Sequence, residues 1–311
     1  MSDPSPLIKD AVAPLIKLFS YKPLPPCLYH YTTAAGLLGI LRKGENQFWA
    51  STVGFSNDAS EGRYATKIGL EVVESHPLSQ NKSEMYAQTA SFVRSMFSPP
   101  GCTWEDGYVI SFCEEDNVLS QWRAYGGTSG FSIGFRGLST DSLRCVAGAE
   151  MWLVKVEYDP SRQRESLRKC LDSACTILQD DPANVYGVRL ASSVLYVLIS
   201  RWACSVKHEA FREEKEWRVT VFPSYDTSGV AAGAFYGGRP RLAEHPDLRE
   251  HRGRLLPYVS IKPRADYFDV QSITIGPSKT QALDLKAIEL LKEKLGLNAV
   301  ELRQSDIPLQ S

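Results

Sequence analysis

What most constrains this chain is the uneven spacing of its strand-like runs. Short stretches rich in β-branched and aromatic residues lie at 28–32, 47–51, 108–113, 130–135, 151–158, 216–222, 255–261 and 270–275, with a last one at 299–303. The helical patterns between them differ widely in length. A short one runs through Leu37, Leu38, Ile40 and Leu41; Thr32 and Thr33 can cap its start, and Gly44 reads as its stop. Stretches 59–74 and 81–97 form a pair broken by Ser-His-Pro at 75–77, and 117–125 is a short helix that sets Trp122 and Tyr125 on one face. Asp159-Pro160 supplies a cap and a first-turn proline for a helix ending near Asp180; 184–206 and 284–295 are the remaining helical patterns. Strands and helices do not alternate with a βαβ rhythm. The expected architecture is therefore α+β, a mixed or split β-sheet flanked by helices, rather than a doubly wound parallel sheet. No GxGxxG follows a strand and no GxxxxGK[ST] occurs, which argues against a Rossmann or P-loop site.

The chain of 311 residues, 43% hydrophobic and 23% charged, has the composition of an ordinary globular protein. With 35 basic and 36 acidic residues, net charge points neither to nucleic acid nor away from it. Residues 1–24 read as an N-terminal helix and linker, with Leu7, Ile8, Val12, Leu15, Ile16 and Phe19 at helical spacing, and 25–311 as a single α+β catalytic-type domain. A Gly-, Pro-, His- and Arg-rich excursion at 225–254 is the candidate lid. The N-terminus lacks the pattern of a secretion signal, and the apolar window 191–200 is too short to span a bilayer, so no membrane partner is expected. Cysteines at 27, 102, 113, 145, 170, 175 and 204 form no CxxC pair, which suggests reduced thiols in a cytoplasmic protein and no metal.

Four clusters could carry chemistry. His30-Tyr31-Thr32 puts one of five histidines on an apolar strand, where it is either a satisfied core group or a ribose and proton-transfer ligand. Asn57 and Asp58, with Glu61 close by, make either a turn or a polar ligand set. Trp122 and Tyr125 are core or a stacking platform for a flat ring. Glu214 and Glu216 flank Lys215 at a strand entry, where residues two apart share a side; they form either surface ion pairs with groups such as Arg218 or a catalytic pair of carboxylates.

Several segments together resemble an uncharacterised bacterial family, the domain of unknown function 2971. They are LYHYT at 28–32, ILRKG at 40–44, FWAS at 48–51, FSNDASE at 55–61, ISFCEEDNVLSQWRAYG at 110–126, GFSIGF at 130–135, FREEKEWRV at 211–219 and ITIGPS at 273–278. More distantly, the first strand and helix and the Glu-x-Glu at 214–216 are similar to the ADP-ribosyltransferase fold of the histidine–tyrosine–glutamate class. That resemblance implies NAD as substrate, with His30 on a ribose hydroxyl, Glu216 stabilising the oxocarbenium ion and Glu214 positioning the acceptor. Tyr125 would stack on nicotinamide, with Tyr64 or Trp49 as alternatives, and Tyr31, Thr32, Trp122 and Arg218 would complete the binding set. Asn57, Asp58 and Glu61 have no counterpart in that fold.

The expected function is thus an NAD-dependent ADP-ribosyltransferase-like enzyme, a toxin or phage-defence effector acting on protein or nucleic acid, with an immunity or partner protein as a further partner. The alternatives are a non-catalytic nucleotide- or protein-binding regulatory module, or an RNA 2′-phosphotransferase-like or hydrolytic enzyme using Asp58, Glu61 and Glu216. For the phosphotransferase, Arg63, Arg123, Arg136 and Arg218 are the available anion ligands.

Overall fold

The structure is a computed structural model. It describes residues 23–42, 46–53, 59–98, 107–126, 129–144, 149–180, 185–223, 246–251, 253–264 and 269–308. Strand β1 (Cys27–Thr33) leads into helix α1 (Ala34–Leu41), whose N-cap Thr33 accepts a hydrogen bond from the Gly36 amide at 3.3 Å. In β2 (Phe48–Thr52) Phe48, Ala50 and Thr52 are buried while Trp49 faces outward, the alternation of a half-buried strand. Helices α2 (Ala59–Ser75), α3 (Pro77–Gln80) and α4 (Glu84–Met96) precede β3 (Tyr108–Cys113). The short α5 (Leu119–Gln121) passes into a π-helical turn, Trp122–Gly126, followed by β4 (Gly130–Arg136), β5 (Leu143–Arg144) and β6 (Ala149–Lys155). Two long helices, α6 (Pro160–Asp180) and α7 (Val185–Ser205), lead to β7 (Glu216–Pro223). The chain continues through β8 (Asp247–His251), β9 (Arg254–Pro263), β10 (Val270–Ile275), α8 (Gln281–Leu295) and β11 (Glu301–Gln304).

The strands form a mixed, open sheet flanked by helices, the α+β architecture expected from the sequence. Its main path runs β11-β10-β4-β1-β3-β2-β9-β5; β7 joins β3 to β6, and β8 pairs with β9. The β10–β11 pair is parallel and the other named pairs are antiparallel.

Strand β3 is the branch point. One edge pairs with β7 along its whole length, from Tyr108↔Val221 to Cys113↔Glu216. The other edge is shared: β2 takes Tyr108 and Val109, and β1 takes Cys113 alone. The sheet therefore splits between β1 and β2, opposite Ile110, Ser111 and Phe112.

Two apolar layers hold this sheet. Helices α1 and α8 cover one face through Leu37, Ile40, Leu41 and Ile288, packed with Phe48, Phe112, Ile133 and Trp217. Helices α2, α4, α6 and α7 form the other layer, centred on the fully buried Trp202, which donates Nε1–H to the Gln163 carbonyl at 2.9 Å. Among the described residues no helix is long and apolar enough to cross a membrane.

Two expectations change. The 225–254 excursion contains strand β8 and the start of β9, because a charged segment can serve as an edge strand when its ladder partner is a hairpin neighbour; residues 224–245 lie outside the described residues. The 117–125 helix shortens to one α-turn and widens into the π-turn. Residues 1–22, Gly44, Asn57 and Asp58 lie outside the described residues, as does the side chain of Glu61.

Candidate functional site

The split in the sheet opens into a cavity of about 270 Å³. Strands β1, β2 and β3 line it, together with residues of α1, the π-turn and β8. His30 is among the residues that line it. Its Nδ1 lies 2.9 Å from the Ser111 carbonyl oxygen, which can only accept, so Nδ1 carries the proton and Nε2 is left with a lone pair. No second hydrogen bond holds the ring among the described residues. Phe48 (centroids 5.7 Å apart, 85°) and Phe112 (5.5 Å, 54°) wall the imidazole. Burial pushes its pKa down to about 4; the Ser111 carbonyl opposes this and the nearby Arg249 charge adds to it. At neutral pH His30 is therefore an uncharged acceptor.

Arg249 enters from β8. Its Nη2 donates to Ser51 Oγ at 2.7 Å, its guanidinium lies 5.7 Å from the Trp49 ring centroid, and its Nε is buried without a partner. Trp49 in turn packs on Tyr258 at 5.0 Å. At the opposite end, Gln121 and Tyr125 reach the cavity from α5 and the π-turn.

That turn is braced from beneath. The Tyr31 hydroxyl donates to the Glu115 carbonyl and accepts from the Val118 amide, both at 2.9 Å. Trp122 lies edge-on to the Tyr31 ring at 4.7 Å and donates Nε1–H to Asn117 Oδ1 at 2.9 Å. A Cβ on Gly130 would stand 2.3 Å from Gly126 Cα, so β4 and the turn approach backbone to backbone, as the glycine there anticipates.

The predicted site residues divide into two groups. His30, Tyr31, Thr32 and Tyr125 line the cavity, as does Trp49, one of the alternatives for stacking, while Trp122 supports it. Glu214, Glu216 and Arg218 do not join them. Register puts Cys113 opposite both Tyr29 and Glu216, so Glu216 lies on the face of Tyr29, Ser111 and Trp49, where its side chain meets that of Ser111 beside the cavity lining without joining it, while His30 shares the other face with Phe112 and Trp217.

On its own face Glu216 is buried in an ion-pair cluster. Arg218 Nε lies 2.7 Å from Oε1 and Nη2 2.9 Å from Oε2, and Lys207 Nζ reaches Oε2 at 3.2 Å and Glu214 Oε2 at 2.5 Å. The Glu216 amide donates to the Tyr158 hydroxyl at 3.0 Å, and Arg218 Nη1 donates to the Cys204 carbonyl at 3.0 Å. Burial pulls the Glu216 carboxyl pKa up, yet Arg218 and Lys207 outweigh it and hold the group well below the usual carboxylate range. Glu214 is not on the strand. It ends a 3₁₀ turn (Glu209–Glu214), and Lys215 then turns the chain at φ 43°, ψ 46°.

Other candidates lie elsewhere. The Tyr64 hydroxyl donates to Gln163 Oε1 at 2.8 Å on the helical side, Arg63 and Arg123 are exposed, and Arg136 bonds Gln271. Sequence reasoning missed Arg249, Glu250 and Gln121. Glu250 is the one carboxylate among the described lining residues, and its Oε1 accepts from the Gly253 amide at 2.5 Å. The signal that pointed toward Arg249 and Glu250 was the polar 225–254 segment itself, read there as a lid. Among the described residues no group of three or more His, Cys, Asp and Glu is placed to hold a metal ion.

Residues 121–219, from the mouth of the cavity to the strand that carries Glu216, match the family model described as a protein of unknown function (DUF2971), the uncharacterised family the sequence resembles. No curated protein and no solved structure matches the chain.

Proposed function

We propose that the split in the sheet is a nucleotide-binding cleft, with a nicotinamide nucleotide such as NAD as its ligand, and that the protein acts through recognition of that ligand. The observation that carries the reading is His30: a neutral imidazole, locked by the Ser111 carbonyl, with an unused acceptor nitrogen inside an aromatic-walled cavity. Such a nitrogen accepts from a ribose hydroxyl, while Tyr125 and Trp49 offer faces for a flat ring. The cavity is slightly smaller than the roughly 300–1,000 Å³ of ordinary ligand pockets, so it suits the nucleoside half of a dinucleotide. Gln121 is a carboxamide able to pair with an amide or a base edge.

The test is calorimetric titration of NAD and nicotinamide mononucleotide into wild type and His30→Ala. Micromolar to millimolar binding that weakens tenfold or more in the variant supports the reading; equal binding, or none in wild type, rejects it.

A second reading, transfer of ADP-ribose, is favoured by Glu250. A carboxylate at the ribose can stabilise the cationic centre left when nicotinamide departs. Glu250 lines the cavity, whereas Glu216 has its charge engaged by Arg218 and Lys207. Nicotinamide release by wild type and its loss in Glu250→Gln would replace pure recognition with turnover.

A further inference from the structure

We propose that Arg249 is the anion-recognition residue of the cavity, and that the ligand enters with a phosphate against its guanidinium, at the edge of the Trp49 ring. This rests on the nucleotide reading of the same cavity and deepens it, since it makes a nucleoside phosphate rather than a nucleoside the ligand.

The first ground is an arginine that pairs with no carboxylate among the described residues. Its hydrogen-bond partner among the described residues is the neutral Ser51 hydroxyl, and its buried Nε has none there. Burial also draws its pKa below the ordinary value, with only Tyr258 working in the other direction, so the charge is held in a desolvated setting. A half-buried cation without a counter-ion close by is partly desolvated at a cost to the fold, and an arriving anion offsets that cost. Neighbouring acids do not relieve it. Asp247 is exposed, lies opposite Tyr258 in the ladder and makes no ion pair with Arg249 among the described residues, and Glu250 follows in the chain with its carboxylate on the Gly253 amide.

The second ground is the chemistry of the groups beside it. Gln47 Oε1 accepts from Ser260 Oγ at 2.7 Å, which turns the amide nitrogen of Gln47 away as a donor. Because Ser51 Oγ accepts from Arg249, its own hydrogen is available to a ligand. Gln47, just before β2, and Trp49 and Ser51 on it recur at every second position and all line the cavity. This side thus presents N–H and O–H donors around a fixed positive charge, the arrangement that selects phosphate. His30 Nε2 is an acceptor in the same cavity, which suits the hydroxyl of a ribose attached to that phosphate.

The third ground is electrostatic. The Arg249 charge acts on His30. A phosphate seated on Arg249 cancels that influence, so anion binding must raise the basicity of His30.

Calorimetry on wild type, Arg249→Met, Arg249→Lys and His30→Ala tests the assignment with nicotinamide mononucleotide, nicotinamide riboside and inorganic pyrophosphate. Nuclear magnetic resonance titration of the His30 imidazole accompanies it, and thermal melting checks that each variant is folded. Wild type is expected to bind the mononucleotide at least tenfold tighter than the riboside. Arg249→Met should erase that preference while leaving riboside affinity unchanged, and Arg249→Lys should restore part of it. Saturating pyrophosphate should shift the His30 titration upward in wild type and not in Arg249→Met.

If the preference persists in Arg249→Met, or if wild type discriminates in neither comparison, the assignment is overturned. Arg249-dependent pyrophosphate binding without any nucleotide binding would keep the anion site and reject the nucleotide reading. Equal binding of riboside and mononucleotide, both lost in His30→Ala, would keep the nucleotide reading and reject the anion site.

Discussion

Two polar regions meet at Ser111 and could hardly be treated more differently by the fold. On one face the charges of Glu216, Arg218, Lys207 and Glu214 are matched to each other at 2.5–3.2 Å. In the split, His30 Nε2, Arg249 Nε and the Gln47 amide nitrogen have no protein partner among the described residues. Saturated charges fix a structure; unsaturated ones wait for a ligand. The carboxylates that looked most catalytic in the sequence belong to the first kind.

The comparison breaks if the two regions respond alike to truncation. Glu216→Ala leaves Arg218 and Lys207 buried without their counter-ion and should cost about 3–5 kcal/mol in urea denaturation.

Acid should sharpen it by separating the regions in pH. His30 has a folded pKa of about 4 against an ordinary 6.5, so the unfolded chain binds more protons between those values. Stability is therefore complete near neutrality and declines as pH falls through that window, by at most about 3 kcal/mol. His30→Gln should flatten the decline. Glu216 has a depressed pKa, so its contribution is complete above the ordinary carboxylate value and is lost only at lower pH, as its own folded pKa is approached. Stability measured from pH 7 to 3 in both variants checks the order.

A smaller effect is expected at Gly130→Ala. The new methyl must push the Gly126 backbone aside, costing about 1–3 kcal/mol and moving Tyr125 at the mouth, readable as weakened ligand binding in a folded protein. The smallest belongs to Arg249→Met, whose stability should stay within about 0.5 kcal/mol of wild type or rise, because it removes a charge the fold does not neutralise.

Much of the architecture is legible in residue types. The runs at 108–113 and 270–275 are strands to the residue, since both are buried enough to need apolar and β-branched side chains throughout. Asp159 caps α6 as its position before Pro160 implies, accepting from the Ser161 and Arg162 amides at 2.8 and 3.2 Å. Strand β8 is illegible for a physical reason. Asp-Leu-Arg-Glu-His carries no apolar face, and only the ladder to β9 makes it a strand. The position of Glu216, beside the lining at Ser111 rather than in it, is illegible for another reason. Alternation says that 214 and 216 share a side, but whether that side faces His30 depends on a register through β3 that one strand's sequence does not contain. Lys215, turning left-handed between them, removes even the first premise.

The mouth of the cavity is built so that preference can drift while foldability stays put. Trp49 alternates with the buried Phe48 and Ala50, and Arg249 rides on a strand whose ladder runs to β9 alone. The residues that choose a ligand are thus borne by elements anchored through other side chains. A lineage could exchange Arg249, Trp49 or Gln47 and acquire a different diet of small molecules without relearning how to fold, whereas the cluster around Glu216 permits no such experiment.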